Sequence, residues 1–424
     1  VGEKPLYYGW QGHSLLFGSE LKALRVHPNW QNNIDRNALA LYMRHNYIPT
    51  PYSIYQDIHK LAPGTLLRIP HTTQPGIVPT PIHFWDMKHV AEHGIRKPTQ
   101  LTDNEAIDTL DGLLRESIRN KMISDVPLGA FLSGGYDSST VVAMMQAEST
   151  QRIKTFSIGF HEETYNEAHH AKRVASHLGT EHTELYVSPK QAMDVIPRLP
   201  HLYDEPFSDS SQIPTFLVSE MTRDHVTVAL SGDGGDELFA GYDRYFFANS
   251  FWKKTSRIPY PLRAVLASAI RGISPALLTT SLGWLTPHLS FFGGQGTLGD
   301  KLHKGAGLLK CRHFEELYLD LVSHWKDPEN IVVDGKEPQT SLTDTAQWSG
   351  LMDCIQNMQY LDSITYLPDD ILVKVDRAAM GVSLETRVPF LDQNIIEYAW
   401  QLPAQFKVRN GEGKWILRRL LDKY

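Results

Sequence analysis

Between residues 126 and 232 the hydrophobic period changes again and again. "VPLGAFL" reads as a strand, "STVVAMMQAE" as a helix, "IKTFSIGF" as a strand, "NEAHHAKRVASHL" as a helix and "HTELYV" as a strand. A further helical stretch leads into "HVTVALSG", a continuous apolar run of strand length. Strands that alternate with helices specify βαβ units and a largely parallel sheet. Strands apolar on both faces need helices on each side to bury them. The expected class is therefore α/β, a doubly wound, largely parallel sheet with helices on both faces.

The rest of the chain is arranged around that block. At 424 residues it exceeds one compact core, so two domains are expected. Residues 1 to about 85 alternate short β-like runs ("PLYYGW", "SLLFGSELKAL", "LAPGTLLRIP", "IHFWD") with one helical stretch, "DRNALALYMRHNY". The Pro- and Thr-rich piece near residues 70 to 82 reads as a loop or linker that closes this part. Thr102 with Glu105 three residues later forms a capping-box pattern, and Ile107, Leu110, Leu113, Leu114 and Ile118 follow at helical spacing. From about residue 245 the pattern is mostly helical, with a Gly-rich piece around 283 to 307 that fits no element.

Bulk properties exclude several functions. The formal charge of −7 argues against a broad nucleic-acid footprint, which needs an excess of Lys and Arg. Two cysteines, Cys311 and Cys354, can build neither a disulfide framework nor a four-thiolate zinc site, and they suit a reducing cytoplasm. No apolar run reaches the ~20 residues of a membrane span. The chain opens on Val1, without a signal segment and already reading as mid-sheet, so its N-terminus is expected to be a cut edge.

Two loops carry the chemistry. "FLSGGYDSS" sits where a strand ends and a helix begins, the place where open α/β sheets bind ligands. Ser133, Gly134, Gly135, Ser138 and Ser139 would offer backbone N–H groups and hydroxyls at a helix N-terminus, a ready anion site. Asp137 beside a phosphate cradle makes sense chiefly with a metal between them. No G-K-[ST] ending follows, so this is not a Walker-type loop. A capped tight turn is the plain alternative. "LSGDGGDELFAGY" repeats the arrangement after another strand, with Asp233, Asp236 and Glu237 as candidates for binding a metal or orienting a substrate. Facing each other, the loops would form a phosphate cradle bridged by Mg²⁺ to Asp137 and Asp236.

"SGGYDSS" resembles the pyrophosphate loop of the N-type ATP pyrophosphatases, an adenine nucleotide alpha hydrolase-like fold. "LSGDGGDELFAGYDRY", "YLPDDILVKVDRAAMGVSLETRVPFLD" and "KWILRRLL" narrow the resemblance to asparagine synthetases and close relatives. The opening "KPLYYGW…LLFGSELKAL" is similar to the tail of a class II glutamine amidotransferase domain. The resemblance implies residues 1–85 as the end of that α+β domain, and residues 100–424 as the synthetase domain with a helical C-terminal part. It implies ATP and Mg²⁺, small-molecule substrates (aspartate or another carboxylate, and ammonia from glutamine), neither nucleic acid nor membrane as partner, a cytoplasmic setting and room for a homodimer. Ser133, Gly134, Gly135, Asp137, Ser138 and Ser139 match the pyrophosphate loop. Phe131, Leu132 and Ile158 match the adenine and ribose pocket, and Ser231 and Gly232 match backbone contacts to ATP. Asp233 matches the acidic position linked to forming the acyl-adenylate, which is Glu in some members. Asp137 and Asp236 match the Mg²⁺ carboxylates.

The implied reaction is two-step: ATP activates the aspartate side chain as β-aspartyl-AMP, and ammonia then displaces AMP. Departures are expected to matter. A class II glutaminase uses an N-terminal Cys, and neither cysteine here stands in its place, so this segment alone is expected to show no glutaminase activity; release of glutamate from glutamine would overturn that. The lysine that the resemblance supplies for the phosphates is expected beyond the last residue. Amidation of a sugar acid or another carboxylate, for example in surface-polysaccharide synthesis, is the alternative reaction. A sulfur-transferring tRNA enzyme and a non-catalytic nucleotide-binding relative are further ones, opposed respectively by the acidic charge and by the intact Asp137 and Asp236. Asp204, Glu205 and Asp209 are candidates for the substrate mouth. Lys374, Asp376 and Arg377 are read first as an ion-paired exposed surface and second as groups that reach the substrate, and Glu385 and Arg387 share the same two readings. His169 and His170 read as helix-surface residues, and Tyr136 has no assigned role.

Overall fold

A computed structural model describes residues 1–160, 167–282, 297–350 and 352–424. Its centre is a five-stranded, all-parallel sheet in the order β10-β9-β6-β7-β8. These are β6 (Leu128–Phe131), β7 (Lys154–Phe160), β8 (Glu181–Val187), β9 (Val228–Leu230) and β10 (Glu385–Arg387). Successive residues of β6 point to opposite faces, as strand geometry demands. Ala130 and Leu132 join the large core beneath the helices Asp103–Met122 and Tyr136–Glu148. Phe131 packs on the other face with Phe156, Ala229 and Ala379, beneath the helices Gln212–Arg223 and Leu372–Met380. The doubly wound α/β class holds. The edge strand β10 comes from "ETR", which the sequence reading had placed on an exposed surface.

Before this block lies a small antiparallel sheet, β2-β1-β3, of β1 (Tyr7–Gln11), β2 (Ser14–Gly18) and β3 (Ile58–Lys60). The run "SLLFGSELKAL" splits: the strand ends at Gly18, and Leu21–Arg25 turns helical with Leu21 and Leu24 buried. The Pro- and Thr-rich piece closes a two-stranded ladder, β4 (Thr65–Leu66) against β5 (Ile82–His83). The helix Met87–Arg96 then docks on Gln393–Gln401 so closely that a Cβ on Gly94 would lie 2.6 Å from the Trp400 carbonyl carbon. The Thr102–Glu105 capping box forms, each side chain serving the other's backbone N–H. Of the unplaced piece at 283 to 307, residues 283–296 lie outside the described residues, and Leu298–Leu309 is a helix.

The small sheet is fastened to the large unit by charges. Tyr7 Oη donates to Glu205 (3.1 Å), and Lys60 Nζ lies 2.6 Å from the same carboxylate. Lys4 Nζ meets Asp376 at 2.5 Å, Arg377 Nη2 donates to Ser19 O at 2.5 Å, and Lys22 Nζ is 3.3 Å from Asp204. Asp376 and Arg377 are therefore buried, not an exposed surface, because the N-terminal part covers them. Asp204 and Glu205 are likewise anchors of this interface.

Candidate active site

The order of the central sheet fixes the site. From β6 the chain moves outward through β7 to β8, then returns to place β9 on the other side of β6. Loops after two such strands leave in opposite directions and open a crevice at the strands' carboxyl ends. Those loops are residues 132–135 and 231–234, and β6 and β9 pair directly, Ala130 opposite Leu230. Their backbones touch: a Cβ on Gly232 would lie 2.7 Å from Ser138 N, and one on Gly235 would lie 2.4 Å from the Asp137 carboxyl carbon. Glycine is needed at both places for close approach.

The first loop is stitched by its own serines. Ser133 N donates to Ser138 Oγ (3.2 Å), the two hydroxyls lie 2.9 Å apart, and Gly135 N donates to Ser133 Oγ (3.2 Å). Gly135 caps the helix Tyr136–Glu148 with no side-chain bond, leaving first-turn amides open at the positive end of the helix dipole. Phe131, Ser133, Asp137, Ser138, Ser231, Gly232, Asp233 and Asp236 all line one cavity of about 430 Å³. Leu132, Gly134, Gly135, Ser139 and Ile158 lie outside that lining. Leu132 and Ser139 are buried, and Ile158 packs beside Val187, on the sheet face that also carries Phe131 and Phe156.

Lys414 sits at the centre of the charges. Its Nζ lies 2.6 Å from Asp137 Oδ2 and 2.6 Å from Asp236 Oδ1. Its backbone is left-handed (φ 55°), a conformation that costs about 1 kcal/mol or more, and its N–H donates to Phe239 O (3.0 Å) at the start of the helix Trp415–Leu421. A lysine thus meets the first glycine loop within the chain, inside "KWILRRLL", where the sequence reading expected none before the last residue. Burial pushes the Asp137 carboxyl up to about 7, with Lys414 opposing and Asp236 adding to the rise. Asp137 Oδ1 is buried without a hydrogen-bond partner. Burial also raises Asp233, against the pull of its bond from Ser231 Oγ and of Lys374. Glu237 is pushed up to about 8 by burial, although Tyr242 Oη donates to it at 2.6 Å.

Lys374, read as exposed, also lines this cavity and is buried, because the helix carrying it packs on Gln212–Arg223. Its Nζ lies 3.4 Å from Asp209 Oδ1. Burial disfavours the Asp209 charge, but Lys374 and Ser211 more than offset this and hold its carboxyl below the usual range. Tyr366 walls both this cavity and a second of about 680 Å³, set between His45–Tyr47 and residues 208–213, Asp362 and Asp370. The residues Leu367–Ile371 form a widened π-turn there, a feature frequent at functional sites. Tyr136, unassigned from sequence, lies under the Arg418 guanidinium at 4.4 Å.

Asp137 and Asp236 are oxygen donors that meet at one cation's position, and Asp137 keeps an open valence. That set suits Mg²⁺, which takes one or two carboxylates and completes its shell with phosphates and water. Among the described residues no cluster of three or more His, Cys, Asp or Glu side chains forms a closed metal cage.

Residues 109–424 match the asparagine synthase family, and residues 1–77 match a glutamine amidotransferase domain. Asparagine synthetase (glutamine-hydrolyzing) 1 of Bacillus subtilis (strain 168) is 32% identical over 429 residues, covering 99% of this chain and 61% of that protein. A putative asparagine synthetase (glutamine-hydrolyzing) 2 of Methanocaldococcus jannaschii is 40% identical over 245 residues, 57% of this chain and 45% of its own. Amidase chyE of Penicillium rubens is 23% identical over 461 residues, 100% of this chain and 64% of its own. The chain thus spans about three fifths of the Bacillus relative's length. With the family match covering well over half of it, the chain belongs to the asparagine synthase family.

Proposed function

We propose that residues 100–424 form a synthetase domain that makes an amide from a carboxylate, ATP and ammonia, with the aspartate side chain as acceptor and asparagine as product. Residues 1–85 are then the end of an amidotransferase domain that delivers ammonia from glutamine, and the setting is the cytoplasm. The observation that carries this reading is the back-to-back contact of two glycine loops that bring Asp137, Asp236 and Lys414 together beside open helix amides.

A carboxylate is a poor electrophile until one oxygen becomes a leaving group. Its oxygen attacks the α-phosphorus of ATP, pyrophosphate leaves, and the acyl-adenylate forms; ammonia then attacks the acyl carbon, and AMP leaves. Both steps need positioning and charge neutralisation more than a protein nucleophile. The amides of the first loop and the Ser133 and Ser138 hydroxyls hold the β- and γ-phosphates, and Lys414 Nζ neutralises the departing pyrophosphate. Asp137 and Asp236 hold Mg²⁺, which supplies further neutralisation when bound. Asp233, kept beside Ser231, orients the reacting groups at the α-phosphate, and Phe131 flanks the nucleoside.

A different carboxylate acceptor is the second reading. The 680 Å³ cavity that shares Tyr366 as a wall favours it, since it offers room for a larger acceptor. Both readings meet one assay: ammonia, Mg-ATP and a panel of carboxylates, with pyrophosphate release measured. Release that depends on aspartate supports the first, and release with a sugar acid alone supports the second. No release with any carboxylate defeats both.

A further inference from the structure

The protein carries 48 acidic residues in 424, about one in nine, yet none lies between residues 244 and 282. That stretch folds into the helices Asp243–Thr255, Tyr260–Arg271 and Pro275–Leu282. The middle helix is apolar on both sides. Its inner side is fixed to the protein: Ala267 is fully buried, and the buried Arg263 donates from Nη1 to Cys311 O at 2.9 Å and from Nε to Ile258 O at 3.1 Å. Its outer side carries Leu262, Val265 and Leu266 at helical spacing; Ile273 in the following turn and Leu277 on the next helix are also outside, and these five are between 44% and 68% exposed. Scattered exposed leucines are ordinary, but three aliphatic side chains at helical spacing on the outside of an anchored helix mark an interaction surface.

Charge selects the partner. Lys253 and Arg257 stand before this helix and Arg271 at its end, all exposed. Three acids on the neighbouring helices are engaged elsewhere: Asp300 caps its own helix, Glu316 accepts from Arg312 N at 2.6 Å, and Asp320 pairs with Lys326. An apolar face rimmed by cations, on a protein that is otherwise acidic, complements an anionic lipid surface. A nucleic acid offers nothing to five exposed aliphatic side chains. The axes of Tyr260–Arg271 and Pro275–Ser281 bend by 95°, and no single helix among the described residues is long and apolar enough to cross a bilayer. Lying in the interface needs no spanning helix.

We propose that the outer face of Tyr260–Arg271, formed by Leu262, Val265 and Leu266, docks on an anionic phospholipid surface together with the exposed Ile273 and Leu277 beyond the bend, with Lys253, Arg257 and Arg271 against the headgroups. The aliphatic side chains enter the boundary between headgroups and acyl chains, and the cations add attraction that salt weakens. The inner leaflet of a cytoplasmic membrane carries the matching negative charge.

The test is co-sedimentation of the whole chain with vesicles of phosphatidylcholine alone, or of phosphatidylcholine with about 30% phosphatidylglycerol. The expected result is binding to the anionic vesicles, about tenfold or more weaker to the neutral ones and weakened by added salt. The triple variant Leu262→Ser, Val265→Ser, Leu266→Ser loses the binding at unchanged Tm, since these side chains support no core. Absence of binding by the unchanged protein overturns the proposal. So does equal binding to both vesicles, or binding to anionic vesicles that the triple variant keeps. If light scattering instead finds a dimer that the triple variant dissolves, and no vesicle binding, a second copy of the chain covers the face and the lipid proposal fails.

Discussion

Asp362 and Asp137 are both aspartates largely withdrawn from water, with side chains 3% and 12% exposed, and held by one cation each, yet they end in opposite conditions. Asp362 accepts from Arg244 Nη2 at 2.6 Å, from Tyr245 Oη at 2.5 Å and from Tyr318 Oη. Around it Arg244 is layered over the rings of Tyr242 (4.0 Å) and Tyr366 (4.8 Å). Asp137 has Lys414 on one oxygen and nothing on the other, and its carboxyl sits near 7. A buried carboxylate that exists for the fold is completed by the fold. One left incomplete at the start of a helix, beside a second carboxylate and a glycine loop, keeps an oxygen available to a ligand. The difference separates structural ion pairs from a binding centre where composition and burial alone do not.

The comparison predicts different failures. Asp362→Ala leaves Arg244 and two phenols without their acceptor, and breaking a buried pair is costly. Arg244 keeps some solvent contact, so about 3 kcal/mol of stability is expected to be lost in urea denaturation, with pyrophosphate release largely retained at temperatures where the variant is folded. Asp137→Asn should do the reverse. Pyrophosphate release falls by about 10² to 10³, while Tm holds or rises because an amide costs less to bury than a charge. If Asp137→Asn were to unfold the protein, or Asp362→Ala to abolish release in a stable protein, the distinction drawn here would fail.

Much of this site was legible from sequence because its parts are local. A strand, two glycines, an aspartate and a helix are contiguous at residues 128–139 and again at 228–239, so the two loops were visible without a fold. That the two loops meet depends on the order β9-β6-β7, a property of the whole sheet. Lys414 illustrates the limit: the motif around it carried the family resemblance, but a lysine beside a tryptophan and a leucine run reads as a surface helix. Its meaning comes from contact with residues some 180 and 280 positions away. Lys374, Asp376 and Arg377 failed for a related reason. Charged residues default to solvent; the N-terminal part packed over Asp376 and Arg377 buries those two, and the helix Gln212–Arg223 encloses Lys374. The apolar side chains at 262–266 mislead in the opposite direction, since helical spacing of leucines reads as core although the structure leaves them outside.

Glu237 sharpens the comparison, because it shares the second loop with Asp236 but is enclosed like Asp362. Its carboxyl lies near 8 in the folded chain, above its ordinary 4.5, so the folded state holds the proton more tightly. The stability this contributes is complete below about pH 4.5 and is lost as pH rises through about 8. Thermal denaturation should therefore show Tm falling from about pH 6 to 9. In Glu237→Gln that slope should flatten, at a cost near 1 kcal/mol at neutral pH for a weaker bond from Tyr242. Little activity should be lost, since a neutral side chain replaces a neutral one. A large loss would move Glu237 into the class of Asp137.

Tyr136 gives the smallest expected effect and the closest control, because it is the residue next to Asp137 in the same turn. It is 43% exposed, with Arg418 over its ring at 4.4 Å. An exposed stack of this kind contributes about 0.5 kcal/mol, so Tyr136→Leu should barely move Tm. Arg418 belongs to the helix Trp415–Leu421, whose N-cap is Lys414, so the stack steadies the lysine against the first glycine loop. The expected signature is a KM for ATP raised about twofold with kcat unchanged, since posture is loosened but no charge is lost. If Tyr136→Leu lowered kcat as far as Asp137→Asn does, the open valence of Asp137 would not be what distinguishes this centre from Asp362. The posture of the loop would be.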